Sequence, residues 1–346
     1  MKKLLFISTF LLCILASCGG QKDEYVQISG YAQGNSYTVK MNMKGVNVPV
    51  EVVRDSIDAL ILQIDTTLSG YNKKSLISRF NAGEKIPSSP MFLDMYRVGY
   101  RLWERSGGAL DFAAAPLYDA WGFGFRNSTF PSDEEIARLL EKCGMGHLPA
   151  ELPVSNGYID PAVMGYPSLN FNAIAQGYSC DIIAKYLYSL GVKDMLIDIG
   201  EIWCDGLNPS GQPWTVGVDR PVDRQLDEQG LGDEGLSGIW NSGGKPAGIV
   251  TSGNYRKYYI RDGRKYAHTI NPRTGYPVQH NLLSATVVSS ANAAESDAIA
   301  TWCMVTGLHG AQVLILGDPT LEGYLIYTDD EGNMKEWASP GFALKD

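Results

Sequence analysis

From residue 195 onward the chain lays down strand-like runs one after another, and this succession limits its possible folds more than any other feature. The runs fall at 195 to 203, 214 to 218, 247 to 251, 255 to 260, 265 to 270 and 282 to 289, with a last one around Gly323 to Tyr327. Strands that follow strands pair as hairpins and meanders, whereas a doubly wound parallel sheet needs a helix between successive strands. The pattern predicts an α+β fold with antiparallel sheets flanked by helices. An alternating segment from Tyr25 to Met43 adds a strand pair near the beginning.

Helical segments stand between these runs. Val53, Ile57, Leu60, Ile61, Ile64 and Leu68 recur at helical spacing, so residues 51 to 68 bury one face. Ser89-Pro90 opens a second helix that carries Met95, Tyr96, Leu102 and Trp103 inward and stops at Gly107-Gly108. Ser132, followed by Asp133, Glu134 and Glu135, caps a third that closes at Gly144. Two more are predicted near 172 to 190 and 293 to 307. The polar, glycine-rich stretch from Asp223 to Gly244 reads as a surface insertion.

The first residues have the form of an export leader. Lys2 and Lys3 precede an apolar run from Leu4 to Leu15, which is too short to span a membrane comfortably. Leu15-Ala16-Ser17-Cys18 resembles a bacterial lipobox, in which the cysteine is lipidated and becomes the new N-terminus. This divides the chain into a leader at 1–17, a tether at 18–24 and one domain at 25–346. It predicts a product exported and lipid-anchored to a bacterial membrane, facing the periplasm.

The formal charge of −9 becomes −11 once Lys2 and Lys3 leave with the leader, and no basic stripe offsets it, which argues against nucleic acid as a partner. Outside the leader, Cys143, Cys180, Cys204 and Cys303 lack the close spacing of a zinc site or redox dithiol. They read as small buried hydrophobes, with disulfide pairing left open by an oxidising compartment.

Four segments can carry chemistry. Asp297 and Thr301 stand four apart on a predicted helix, so one carboxylate and one hydroxyl share a face. Both are hard oxygen ligands suited to Mg²⁺ or Ca²⁺, and a solvated helix face has the same pattern. Asn170 to Tyr178 runs from a polar strand end through small residues into a helix, which suits phosphate on amides and a cation on a carbonyl, or close helix packing. Gly107-Gly108 serves as a helix cap, and Asp111 just beyond is more than a cap requires. His268 lies between an apolar strand and the turn Asn271-Pro272-Arg273-Thr274-Gly275. It is either a base for a hydroxyl nucleophile or a structural histidine bonded to the turn.

Together these segments resemble the ApbE family of FAD:protein FMN transferases. Leu68 to Tyr71, Ala109 to Asp111, Ala173 to Tyr178, Thr251 to Tyr255, His268 to Gly275 and Asp297 to Thr301 occur in that family's order and approximate spacing, from about Gly30 to the C-terminus. The resemblance implies the family's T-fold-like architecture and a reaction that moves FMN from FAD to a threonine or serine hydroxyl of an acceptor protein, releasing AMP. It implies a cation, Mg²⁺, on Asp297, Thr301 and the main chain of Ala173. FAD contacts carry over to Gln33, Tyr71, Ala109, Leu110, Asp111, Asn170, Gln176 and Ile270. His268 is then assigned as the base, and the acceptor as a membrane redox subunit.

The chain departs from the family at Asn35, Asn170, Gln176 and Gly200, where relatives commonly have threonine, aspartate, lysine and a double glycine. Two rivals stand beside this reading: a hydrolase splitting FAD to FMN and AMP with water, and a non-catalytic flavin-binding lipoprotein, to which Gln176 and the single Gly200 lend weight.

Overall fold

The computed structural model describes residues 24–124, 130–221, 235–254, 258–261 and 264–345. The expected leader, Cys18 and most of the expected tether therefore lie outside the described residues, as does Tyr255. Seven α-helices occur among the described residues: α1 (Val50–Leu68), α2 (Leu76–Asn81), α3 (Pro90–Arg105), α4 (Ala115–Ala120), α5 (Asp133–Leu140), α6 (Ala175–Ser189) and α7 (Ala293–Leu316).

Eight strands form the main sheet, side by side in the order in which the chain makes them. They are Tyr25–Ala32, Asn35–Asn42, Met195–Asp198, Ile202–Asp205, Ala247–Gly253, Leu282–Ser289, Leu321–Thr328 and Met334–Ala338. Every neighbouring pair is antiparallel. The sheet is thus a meander with helices and loops inserted between its strands, as the succession of strand runs predicts.

One face of the sheet is covered by helices. Val53 and Ile57 of α1 and Cys180, Ile183 and Leu187 of α6 pack on Ile28, Val39, Met41 and Ile197. Farther along, Ile299, Ala300, Cys303 and Met304 of α7 pack on Val250, Ala285, Val287 and Leu325. Each valine, leucine, isoleucine or methionine among them contributes about 1.5–3 kcal/mol when fully buried. On the opposite face a smaller sheet of Thr215–Asp219, Leu236–Asn241 and Leu344–Lys345 encloses Trp214, Trp240, Tyr324 and Phe342. A further cluster, built on Phe80, Phe92, Tyr96, Phe112 and Phe171, joins α2 and α3 to the segment before α6.

Local signals place some helix starts, while the helix begun at Ser132 ends at Leu140 rather than at Gly144. The hydroxyls of Ser89 and Ser132 accept from the N–H groups of Phe92 and Glu135, so each serine caps its helix as its position predicts.

Several expectations are corrected. The run from 195 to 203 is a hairpin, because Gly200 (φ 91°) turns the chain through a conformation that side chains with a Cβ avoid. The Asp223 to Gly244 stretch is not one insertion. Residues 222–234 lie outside the described residues, while Leu236–Asn241 is a paired strand with Trp240 buried. The strand around Gly323 is followed by two more, Met334–Ala338 and Leu344–Lys345. Helix α7 continues past 307 through a break at Gly307 (φ 75°), where His280 Nε2 lies 2.8 Å from the Met304 carbonyl oxygen. Helices α2 and α4, of six residues each, are too short for periodicity to reveal. All four described cysteines are unpaired; burial raises the Cys143 thiol to about 11, those of Cys204 and Cys303 to about 12, and that of Cys180 well above its ordinary value.

Candidate active site at the crossing of two helices

The first turns of α6 and α7 meet where Gly177 faces Ala293. A Cβ on Gly177 would stand 2.6 Å from the Ala293 carbonyl carbon and 2.8 Å from the Ala294 Cα, so only glycine permits this approach. At the crossing Asp297, 5 % exposed, accepts the Gly177 N–H at 3.1 Å on Oδ2. Burial raises its carboxyl well above the usual range, opposed by that hydrogen bond and reinforced by the charge of Asp181. Among the described residues no basic side chain pairs with it.

The N–H of Gly177 is also the one that helical spacing would direct to the Ala173 carbonyl four residues earlier. Because Asp297 takes it, the Ala173 carbonyl accepts no hydrogen bond from a described donor. Thr301 lies one turn after Asp297, with its hydroxyl 3.5 Å from that of Ser252. A buried, uncompensated carboxylate, a hydroxyl and an unclaimed carbonyl form a donor set that fits a hard divalent cation. No three His, Cys, Asp or Glu side chains cluster among the described residues. A cation here would take one protein carboxylate and leave positions for water or phosphate, the habit of Mg²⁺.

The strand end Ala247–Gly253 links this crossing to His268. Ser252 touches Thr301, and two residues on, about 7 Å along an extended chain, the Asn254 carboxamide oxygen accepts from the Thr269 hydroxyl at 2.6 Å. The Thr269 carbonyl accepts from Val278 N–H at 3.0 Å, so the residue beside His268 is held from both sides. The His268 ring meets Phe123 edge-on, with centroids 6.4 Å apart.

The predicted FAD residues divide by what their side chains do. Gln33 sits in the turn between the first two strands at φ 51°, its amide donating to the Ser179 hydroxyl on α6. Gln176 donates to the Ile199 carbonyl at 2.9 Å, and its Nε2 fills the place of a Cβ on Gly200, with Asn35 adjacent. Three departures from the family pattern are therefore neighbours. Asn170 closes a local turn onto Asn172 N–H, and its own N–H donates to the Phe112 carbonyl at 2.8 Å, bringing it beside Asp111.

Other side chains are turned inward. Ala109, Leu110 and Ile270 are buried, which leaves only main-chain atoms to meet a ligand, and the N–H groups of Ala109 and Leu110 already donate to Ser106. Asp111 accepts from the N–H groups of Ala113 and Met145, both at 2.9 Å, which accounts for the carboxylate beyond the glycine cap. Burial raises its carboxyl above the usual range, against those bonds. Tyr71, by contrast, is 66 % exposed between α1 and α2.

Three residues with structural roles here were missed by sequence reasoning. Ser252 and Asn254 fall in the Thr251 to Tyr255 motif, whose alternation could have marked them. Asp181, whose carboxylate accepts from the N–H groups of Ala293 and Ala294, follows from no local signal.

The chain is similar in sequence and fold to known proteins. The model of the ApbE family matches residues 33–325. The FAD:protein FMN transferase of Vibrio cholerae serotype O1 is 30 % identical over 342 residues, covering 96 % of this chain and 95 % of that protein. The protein of the same name from Escherichia coli K12 is 31 % identical over 300 residues, covering 84 % and 80 %. Among solved structures, the flavin transferase ApbE from Vibrio cholerae superimposes with a TM-score of 0.75 at 29 % identity, covering 92 % of this chain and 97 % of that one. The apo form of the Pseudomonas stutzeri flavinyl transferase ApbE gives 0.76 at 30 %, covering 92 % and 95 %.

Proposed function

The chain belongs to the ApbE family, and we propose that it is an FAD:protein FMN transferase whose reaction takes place beside the crossing of α6 and α7. The observation that carries the site assignment is Asp297: a buried carboxylate without a basic partner among the described residues, next to an unclaimed carbonyl and a hydroxyl.

Asp297, Thr301 and the Ala173 carbonyl would hold Mg²⁺. Bound there, a cation would supply positive charge beside the pyrophosphate of FAD. The N-terminal turn of α6 and the main chain at Ala109 to Asp111 orient the phosphates and flavin, with Gln33, Asn170 and Ile270 around them and Tyr71 at the exposed edge. Gln176 is engaged by Ile199 and brings no positive charge to the phosphates. His268 accepts the proton of the incoming threonine or serine hydroxyl. The hydroxyl oxygen bonds to the FMN phosphorus, the bond from that phosphorus to the bridging oxygen breaks, and AMP leaves with the electron pair.

The acceptor we infer is a protein exposed at the same membrane face, such as a redox subunit, reached by an enzyme anchored through lipid on Cys18. Incubation of the mature chain with FAD, Mg²⁺ and a threonine-bearing acceptor protein tests the reading. Flavin covalently on the acceptor with equimolar AMP is expected. Free FMN with an unlabelled acceptor identifies a hydrolase, and tight FAD binding without turnover identifies a flavin-binding protein.

A further inference from the structure

Asp181 is a half-buried carboxylate that the reaction above does not use. It lies on α6 one turn beyond Gly177, and its two oxygens accept the Ala293 N–H at 2.8 Å and the Ala294 N–H at 3.0 Å. These are the first two amides of α7, which helical geometry leaves without partners. In the other direction Asp297 of α7 accepts the N–H of Gly177, in the first turn of α6. The two helices therefore exchange carboxylates, each holding N-terminal amides of the other.

Capping alone does not account for Asp181. Helix α7 already has its own cap, the Asn292 side chain accepting Glu295 N–H at 2.7 Å. What Asp181 adds is a tie between helices. With Gly177 against Ala293, sliding or rotating α7 over α6 would break three hydrogen bonds together. Those bonds fix Asp297 and Thr301, on α7, relative to the Ala173 carbonyl at the head of α6.

We propose that Asp181 is the positioning residue of the cation site, setting the separation of its two helices without touching the cation. This rests on Asp297, Thr301 and Ala173 being the cation's ligands.

The test is calorimetric titration of Mg²⁺ into the mature chain loaded with FAD and without acceptor, together with thermal melting in chelator. Asp181→Asn keeps the size of the side chain but presents an amide donor to one of the two N–H groups. It is expected to weaken Mg²⁺ binding about 10- to 100-fold, the usual effect of removing a support behind metal ligands. Saturating Mg²⁺ should restore turnover. Asn292→Ala removes the cap within α7 and should lower the melting temperature while leaving Mg²⁺ affinity within about twofold.

Native Mg²⁺ affinity in Asp181→Asn, or an equal loss in Asn292→Ala, overturns the proposal. Should Asp181→Asn not fold, Asp181→Glu carries the same test, since its longer side chain displaces α7 while keeping the charge. Asp297→Asn separates the two layers. If it leaves Mg²⁺ binding intact, the ligand assignment fails; if it abolishes binding while Asp181→Asn does not alter it, only the role of Asp181 fails.

Discussion

Arg273, in the turn after His268, donates through Nη2 to the carbonyls of Ser106 and Gly107 at 2.8 and 2.7 Å, and through Nε to Gly107 at 3.0 Å. Its guanidinium thus closes the C-terminal end of α3 and ties the histidine turn to the segment that runs on to Asp111. A lysine could supply one of these bonds but not the planar fork. Arg273→Ala is expected to cost about 1.5–3 kcal/mol of stability and raise the KM for FAD, with Arg273→Lys recovering only part of each. Denaturant titration and FAD-dependent initial rates measure the two effects.

His268→Ala should reduce the rate of flavin transfer by about 10²- to 10⁴-fold while FAD binds as before. Fluorescence titration of FAD and the rate of acceptor labelling at saturating substrates separate these quantities. Turnover within a factor of two of native would remove His268 as the base.

Gly177→Ala forces a methyl group into the backbone of Ala293 and Ala294, which cannot swing aside as a flexible side chain could. A loss of about 1–3 kcal/mol, occasionally more, is expected, with weakened Mg²⁺ binding because the crossing opens at Asp297. Melting curves and Mg²⁺ titrations of the same preparation check both. A stable variant with native Mg²⁺ affinity would contradict the close approach seen at this crossing.

The carboxyl of Asp181 is raised by burial to about 6, against the lowering effect of its two backbone hydrogen bonds. A carboxyl raised on folding binds its proton more tightly in the folded state. Its stabilising effect is therefore full below its unfolded value near 3.9 and is lost as pH rises through about 6. In chelator, native protein should lose on the order of 2–3 kcal/mol between pH 4 and 7 relative to Asp181→Asn. Denaturant unfolding of both proteins across that range gives the difference directly, and parallel pH profiles would refute it.

Cys18→Ser should shift the protein from the membrane pellet to the soluble fraction and abolish lipid labelling, with turnover in detergent-free solution retained. Fractionation with a radiolabelled fatty acid provides the check. Unchanged membrane association would show that attachment does not depend on this cysteine.

Some of the structure was legible because its cause is local. Ser89 and Ser132 cap helices with amides three residues away, apolar side chains recur at the helical period along α1, and successive strand runs lead to a meander. The placing of Asp297 and Thr301 on one helix was legible for the same reason, as spacing along a helix fixes direction. Gly200 shows the limit of such signals: the apolar run continues through it, yet its backbone turns the chain.

What the sequence determined by itself was most of the inventory: the longer helices and the strand succession, their antiparallel class, and which side chains have the chemistry to meet a cation, a phosphate or a proton. Only the tertiary structure decided their partners. Asp297 meets Gly177 across 120 residues, Asp181 meets Ala293 across 112, and Arg273 meets Gly107 across 166. Contacts at such separations leave no period and no short motif, because they depend on how whole elements pack. The same packing gave Asp111 to buried amides and turned Ile270 into the core, leaving the Ala173 carbonyl unclaimed beside Asp297.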